Sequence, residues 1–502
     1  MLANRFSGVA NLARRVADAY GIWLILALAT FARFVGLGYP RKLVFDETYY
    51  VKDAWTLGNL GYEGSWPADA NAAFEAGNSS IFNADPSFVV HPPLGKWIIF
   101  IGMKIWGADN PVGWRFSVAL LSIASVWLLY VVAARLFGSK RWALVPSFLL
   151  AIDGHAIVLG RTGLLDGILA FFALLAFYLL LRDRERFSSS LLKRPWLIAM
   201  AVTLGFASGV KWSGLYLLAT FALYVVISDL LRERKLHQAA QSASQEAKPF
   251  ELVSRLLVRG YATALITLPF ALLAYLSTWT GWLLTSNGYA RQTSIAASGV
   301  ADWLAWIPQP LQALWHYHSQ AFGFHVNLHT PHNYASSPLT WLVMWRPTSF
   351  FYEGTDAGTA DCAGTENCAN AITALGNPLI WALALVALVS LTLTWVRTRD
   401  SKIGMILLGM VGGYLPWLLY LSRTTFQFYA VVFLPWMLLA LGYWLKTQVE
   451  LAPADTRAKA YSWVAVALGA SLVLSIFFSS VWLGYTTPYW FWRIHMWLPS
   501  WI

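Results

Sequence analysis

Charged residues are scarce in this chain. Asp, Glu, Lys and Arg make up 12% of its 502 residues, against about 25% in a soluble domain, so water is not the solvent for most of it. Cysteine is nearly absent, with two residues, which excludes a disulfide-built scaffold or a cysteine-rich metal module. A cleavable leader is not evident: Met1 to Tyr20 is polar and basic (Arg5, Arg14, Arg15), and the apolar stretch that follows lacks a small-residue cleavage site. No repeat relates the two halves, which argues against a secondary transporter.

Apolar residues are abundant, 58% of the chain, with 28 Trp and 22 Tyr. Apolar runs in lipid must be helical, because bare loops or open sheet edges would leave backbone groups unpaired. The pattern predicts an all-α polytopic membrane protein, a single membrane-embedded domain over 1–502. About eleven spanning helices are expected, near 20–38, 113–136, 142–160, 164–181, 195–210, 213–230, 260–279, 377–396, 403–421, 427–445 and 462–483.

The formal charge of +11 does not imply nucleic acid, because the basic residues gather at helix ends. With the N-terminus inside, 23 of the 36 Lys and Arg fall on inside segments, as the positive-inside rule requires. The stretch 231–259 reads as a polar cytoplasmic linker. Two long outside segments remain, 39–112 and 280–376. Both are rich in Trp, Tyr and Pro, as amphipathic helices at the headgroup level are, and chemistry is expected there.

Asp46 and Glu47 are adjacent carboxylates past the outer end of the first helix, in VFDETYYVKDAW. They suit the first turn of a helix. They equally suit a general base at the membrane surface, where partial burial tunes a carboxylate to take a proton from a hydroxyl. In HPPLGKW the prolines after His91 fix a rigid lead-in to an apolar helix and set Lys96 at its start, where a cation either snorkels or meets a phosphate. Arg115 in NPVGWRFS is a candidate partner for the acid pair. Arg161 and Asp166 in GRTGLLDG are close enough in sequence to pair with each other. Lys211 in SGVKWSG, with Arg423 and Gln427 in SRTTFQFY, lies at outer turns. Ionisable groups at such depth are functional candidates, and these three offer charge and hydrogen bonds for a phosphodiester.

Five histidines crowd one stretch: His316, His318, His325, His329 and His332. His325 and His329 share one helix face, a metal-ligand spacing. Yet the run holds no Asp or Glu, and its aromatics suit an interfacial helix with polar tips in water. No metal and no other cofactor is expected. Cys362 and Cys368 fit one small disulfide in an oxidising compartment, the alternative being two free thiols.

Taken in order from about residue 45 to about 430, the Asp-Glu pair, HPPLGK, GWRFS, RTGLLD, VKWSG and the FH…HNYASSP…RPTSF run resemble the protein O-mannosyltransferases in their bacterial, actinobacterial-type form. The resemblance implies the GT-C membrane fold. It also implies inverting transfer of mannose from a polyprenyl-phosphate donor to Ser or Thr of a secreted or membrane protein, at the outer face of the plasma membrane. By that analogy Asp46 is the general base, Glu47 helps to place the acceptor, and Arg115 holds the acid pair ionised. Lys211, Arg423 and Gln427, with Arg161 and Lys96, would hold the lipid phosphate. His91, His325, His332, Arg346 and Asp166 would position the acceptor or the loops.

The family's usual scheme needs no metal, and the lipid-linked sugar is a substrate rather than a cofactor. The partners implied are that donor, an acceptor polypeptide, membrane lipids and, for an enzyme that meets unfolded chains, the Sec translocon. Two departures stand out: 280–376 is too short for the soluble domain that eukaryotic members insert, and LTWLVMWRP lacks a proline expected after Trp341. A related GT-C transferase with a lipid or cell-wall glycan acceptor would share the first acidic motif, but not HPPLGK with VKWSG and HNYASSP…RP.

Overall fold

A computed structural model describes residues 19–186, 191–242, 249–294, 297, 299–360 and 362–502. The basic start with Arg5, Arg14 and Arg15 lies outside the described residues. The architecture opens with α1 (Ala19–Phe34). The first long segment folds into α2 (Glu47–Leu60), α3 (Ala70–Glu75) and α4 (Leu94–Trp106). Next come α5 (Pro111–Phe137), α6 (Lys140–Ile152), α7 (Gly154–Leu159), α8 (Leu165–Glu185), α9 (Pro195–Val210), α10 (Gly214–Ser242) and α11 (Pro249–Thr278). The second long segment carries α12 (Thr280–Leu284), α13 (Gln309–Val326), and strands β1 (Thr348–Thr355) and β2 (Cys368–Ala374). Then follow α14 (Pro378–Thr398), α15 (Ser401–Gly413), α16 (Leu434–Leu451), α17 (Arg457–Leu483), β3 (Thr487–Pro488) and α18 (Tyr489–Arg493).

Among the described residues, six helices are long and apolar enough to cross a membrane: α5, α8, α10, α11, α14 and α17. The shorter apolar helices are α1, α9 and α15. Each of the eleven predicted segments carries helix, but several are interrupted. The expected helix 142–160 breaks at Asp153, whose carboxylate caps α7 at Ala156 N and also accepts from Asn377 N and the Trp381 indole. Arg33 of α1 satisfies the freed carbonyls of Leu150 and Ala151 at the end of α6. Segment 427–445 likewise starts as a 3-10 turn, Gln427–Val432, before α16.

Two further expectations are corrected. The supposed linker 231–259 is mostly helical, since α10 runs through Ser242 and α11 starts at Pro249; residues 243–248 lie outside the described ones. The fold is also not purely α, because β1, β2 and β3 form an antiparallel sheet in that order. Cys362 and Cys368 are disulfide-bonded, with Cα atoms 5.8 Å apart, and close the β1–β2 hairpin where Thr355 pairs with Cys368.

Small residues let the helices approach. A Cβ on Gly205 of α9 would meet the Ala271 carbonyl of α11 at 2.2 Å, a close backbone contact of the kind that packs helices in lipid. One end of this bundle is pinned by a buried network: Arg194 and Arg184 pair with Asp183 of α8 and Asp229 of α10. Most of the length of α8 (Leu165–Glu185), about 25 Å of helix, separates Asp183 of that network from Asp166 at the other end, where the long segments gather.

Candidate active site

Glu47 opens α2 with a fully buried side chain. Its oxygens accept from Arg115 Nε and Nη2, both at 2.8 Å, and from the backbone N–H of Gly163 at 2.7 Å and of Val44 at 3.0 Å. Arg115 turns its other N–H groups to the carbonyls of Leu37, Pro40 and Lys42. The pair therefore fastens the 37–47 turn to α5 and to the start of α8. Asp46 stands at the N-cap position of α2, yet its carboxylate makes no capping hydrogen bond, so capping does not account for it. The Tyr50 hydroxyl lies near enough to favour the ionised form of Asp46. Burial pushes the Asp46 carboxyl up to about 6; the Lys211 charge acts against this shift and Asp166 adds to it.

Phe45, just before Asp46, has a left-handed backbone, φ 49°, which costs an ordinary residue about 1–3 kcal/mol. Other rings hold it there. Phe350 of β1 stacks on it at 4.9 Å, while Phe428, Phe426 and His332 meet it edge-on at 5.4, 5.9 and 6.1 Å.

A cavity of about 210 Å³ opens between the ends of α8, α9, α13 and α15. Its polar wall holds His91, Asp166, Lys211, His325, Arg423 and the hydroxyl pair Tyr216–Tyr420, 2.6 Å apart. Lys211 terminates α9 in an extended conformation. Its ammonium lies 2.7 Å from Asp166 and 5.0 Å from the ring centre of Tyr429. Trp212, Leu215 and Phe322 are shared with an adjoining apolar cavity between α9, α11 and α13. Cations beside an apolar channel suit an amphiphile with an anionic head.

The Arg423 turn is clamped by the second long segment. Thr424 N donates to Leu328 O and its hydroxyl to Thr330 O, while Thr425 and Ser336 exchange two hydrogen bonds. His329 Nδ1 lies 2.9 Å from Ser422 O. His325 reaches Val90 O with Nε2 and Arg423 with Nδ1. Because α13 ends at Val326, His329 lies beyond the helix and the two histidines do not share a helix face; they engage this turn and the HPP loop, and no group of three or more metal-binding side chains occurs among the described residues.

The family described as Dolichyl-phosphate-mannose-protein mannosyltransferase matches residues 23–285. The C-terminal four TMM region of protein-O-mannosyltransferase matches residues 310–501. The chain belongs to the protein mannosyltransferase family. It is 31% identical over 511 residues to the polyprenol-phosphate-mannose–protein mannosyltransferase of Mycobacterium tuberculosis, covering 95% of this chain and 91% of that one. The Corynebacterium glutamicum protein of the same name is 29% identical, with 96% and 94% covered. The Saccharomyces cerevisiae protein O-mannosyltransferase Pmt1-Pmt2 complex bound to the sugar donor shares the fold, with TM-score 0.72, 15% identity, and 96% and 92% covered.

In this mannosyltransferase the cavity is built from both matched regions, Asp166 and Lys211 from the first and Arg423 from the second. Several residues singled out in the sequence lie elsewhere. Lys96 does not line the cavity: it is buried against Glu63 and donates to the His91 carbonyl. Arg161 does not pair with Asp166; its guanidinium caps α1 at the carbonyls of Ala32 and Gly36, at 3.0 and 2.8 Å. Gln427 is wholly buried, with neither amide atom hydrogen-bonded, and is not part of the cavity wall. Arg346 holds the carbonyls of Asn333, Ser500 and Ile502, and His332 packs on Phe426 at 4.9 Å. His91 lies in the cavity wall, its ring 5.1 Å from that of His325.

Tyr50, Tyr216, Tyr420 and Tyr429 were not legible as site residues. Only Tyr50 had a signal, since it sits four residues after Asp46 and so shares its helix face.

Proposed function

We propose that this protein transfers mannose from polyprenyl-phosphate-mannose to a Ser or Thr hydroxyl of a polypeptide. The observation that carries the reading is Asp46, a half-buried carboxylate of raised pKa, in electrostatic reach of a cavity lined by Lys211 and Arg423. The names of the relatives point the same way. The acceptor oxygen attacks the anomeric carbon from the face opposite the phosphate, its proton passes to Asp46, and the carbon–oxygen bond to phosphate breaks with inversion. The group that leaves is the polyprenyl phosphate monoester, competent to depart once cations neutralise its developing charge, so Lys211 and Arg423 stabilise the departing phosphate. Deprotonating and aligning the acceptor is left to Asp46, while Glu47 and Arg115 fix the turn that carries it.

The eleven-segment topology supports a site at the outer face of the plasma membrane, with the buried Arg184–Asp229 network inside. An acceptor crossing as an unfolded chain would reach Asp46 there, beside the Sec translocon.

The test uses purified protein in detergent with polyprenyl-phosphate-[14C]mannose and a Ser/Thr/Pro-rich peptide, with and without a chelator. Label in the peptide, lost in Asp46→Asn and unaffected by chelation, supports the reading. Label that appears only in a lipid or glycan acceptor overturns the choice of acceptor, and full activity in Asp46→Asn overturns the base.

A further inference from the structure

Arg423 does not reach the cavity unaided. Its Nε donates to the His325 carbonyl at 2.9 Å, and its Nη2 lies 3.2 Å from the Nδ1 of the same residue. The other ring nitrogen, Nε2, lies 2.9 Å from the Val90 carbonyl. A carbonyl only accepts and a guanidinium only donates, so these contacts fix the tautomer: the proton is on Nε2, and Nδ1 offers a lone pair to Arg423. A second proton on Nδ1 would set N–H against N–H.

The surroundings favour the singly protonated ring. Burial pushes His325 down to about 4, and the charges of Arg423 and Lys211 act in the same direction. The His91 ring facing it is pushed well below its usual value for the same reasons. His91 stacks on His325 at 5.1 Å and 29°, and Trp212 meets it edge-on at 5.8 Å. The imidazole thus has little freedom to turn. It sits between the rigid HPP loop on one side and the Arg423 turn on the other.

We propose that His325 is a positioning residue for the donor site: its Nδ1 and carbonyl hold Arg423 by two points and aim the remaining guanidinium N–H groups into the cavity at an anionic phosphate head. This rests on the reading of the cavity as the seat of a polyprenyl phosphate. Arginine loses less freedom per hydrogen bond when its fork is already oriented, so the benefit appears as donor affinity, not as proton transfer at Asp46.

The experiment compares wild type with His325→Phe, His325→Asn, Arg423→Lys and His325→Phe/Arg423→Lys. Two quantities are measured: binding of radiolabelled polyprenyl phosphate without sugar, and the KM and kcat for donor and for peptide. His325→Phe keeps a ring for His91 but removes the acceptor; His325→Asn restores an acceptor near the Nδ1 position. The expected result is a rise of about tenfold in donor KM and in polyprenyl phosphate Kd for His325→Phe. Peptide KM and kcat should change less than about twofold, and His325→Asn should recover most of the loss. In the Arg423→Lys background, His325→Phe should add almost nothing, because residues acting through one another are not additive.

Equal effects of His325→Phe in both backgrounds, or a change confined to peptide KM, would overturn the proposal. If His325→Phe does not fold, His325→Leu, which also removes the Nδ1 acceptor, takes its place, and unaltered donor affinity in that variant overturns the proposal. Failure of the wild type to mannosylate peptide would count against the proposed function alone, since polyprenyl phosphate binding and its cycle are read without transfer.

Discussion

The Lys211 ammonium and the Asp166 carboxylate meet at 2.7 Å at the end of the bundle where α8 begins and α9 stops. Both side chains are nearly inaccessible, and a buried ion pair of this kind is costly to break on one side only. An incoming phosphate needs no new charge to be created, because the cation is already desolvated and held. Lys211→Gln should therefore raise the Kd for polyprenyl phosphate by at least about tenfold, measured by equilibrium binding in detergent. An unchanged Kd would remove Lys211 from the donor site.

Asp46 must be ionised to take a proton. Its carboxyl is pushed up to about 6 by burial, so kcat/KM for the peptide should fall as pH drops through about 6 and level off above it. A pH–rate profile checks this, and Asp46→Asn should lose at least about a hundredfold in kcat at about pH 7 and above. A flat profile between pH 5 and 7, of about the same height throughout, would dissociate Asp46 from the rate.

Glu47 and Arg115 should report on stability before chemistry. Each is almost fully buried and satisfied by the other. Arg115→Met leaves a carboxylate buried without its cation, a loss of about 3–5 kcal/mol, and should lower the thermal unfolding midpoint sharply. Unchanged unfolding with lost transfer would instead make Arg115 a direct participant.

Phe45→Ala should keep most of the fold and weaken catalysis. It removes the ring that Phe350, Phe426, Phe428 and His332 enclose, and with it the force that holds φ at 49°. The expected outcome is a fall of about tenfold or more in kcat, with donor binding within about twofold of wild type. Loss of donor binding to the same degree would show that the cage serves the Arg423 turn instead.

Lys96→Met tests a correction. Lys96 pairs with buried Glu63, away from the cavity wall, so the variant should unfold more easily while donor KM stays within about twofold in the protein that folds. A selective rise in donor KM would return Lys96 to the phosphate.

Hydrophobic runs made the helices visible, because in lipid every long apolar stretch has to satisfy its own backbone. Interruptions were not visible. The break at Asp153 depends on Asn377 and Trp381, more than two hundred residues away, and the polar stretch at 231–242 is helical as a continuation of α10. The small sheet escaped because β2 is wholly buried and reads as an apolar run. Motif order singled out Asp46, Glu47, Arg115, Lys211 and Arg423, and the pairing of Arg115 with the acid pair was readable there, whereas the partners of Lys211 and Arg423, Asp166 and His325, were not. Arg161 and Asp166 are five residues apart in sequence, yet each finds its partner on a different helix. Charges in a bundle pair with whatever the packing brings near.

The clamp of Ser336 on Thr425 and of His325 on Arg423 joins parts of the chain that are translated far apart in time. Asp46, Asp166 and Lys211 are inserted early, while Arg423 emerges from the ribosome only after α15. A nascent chain halted before that turn would display a base and a neutralised lysine, but no guanidinium to seize the lipid-linked sugar. On the proposed function, such a chain is expected not to capture donor until the turn that carries Arg423 has been made and clamped by Ser336 and His325.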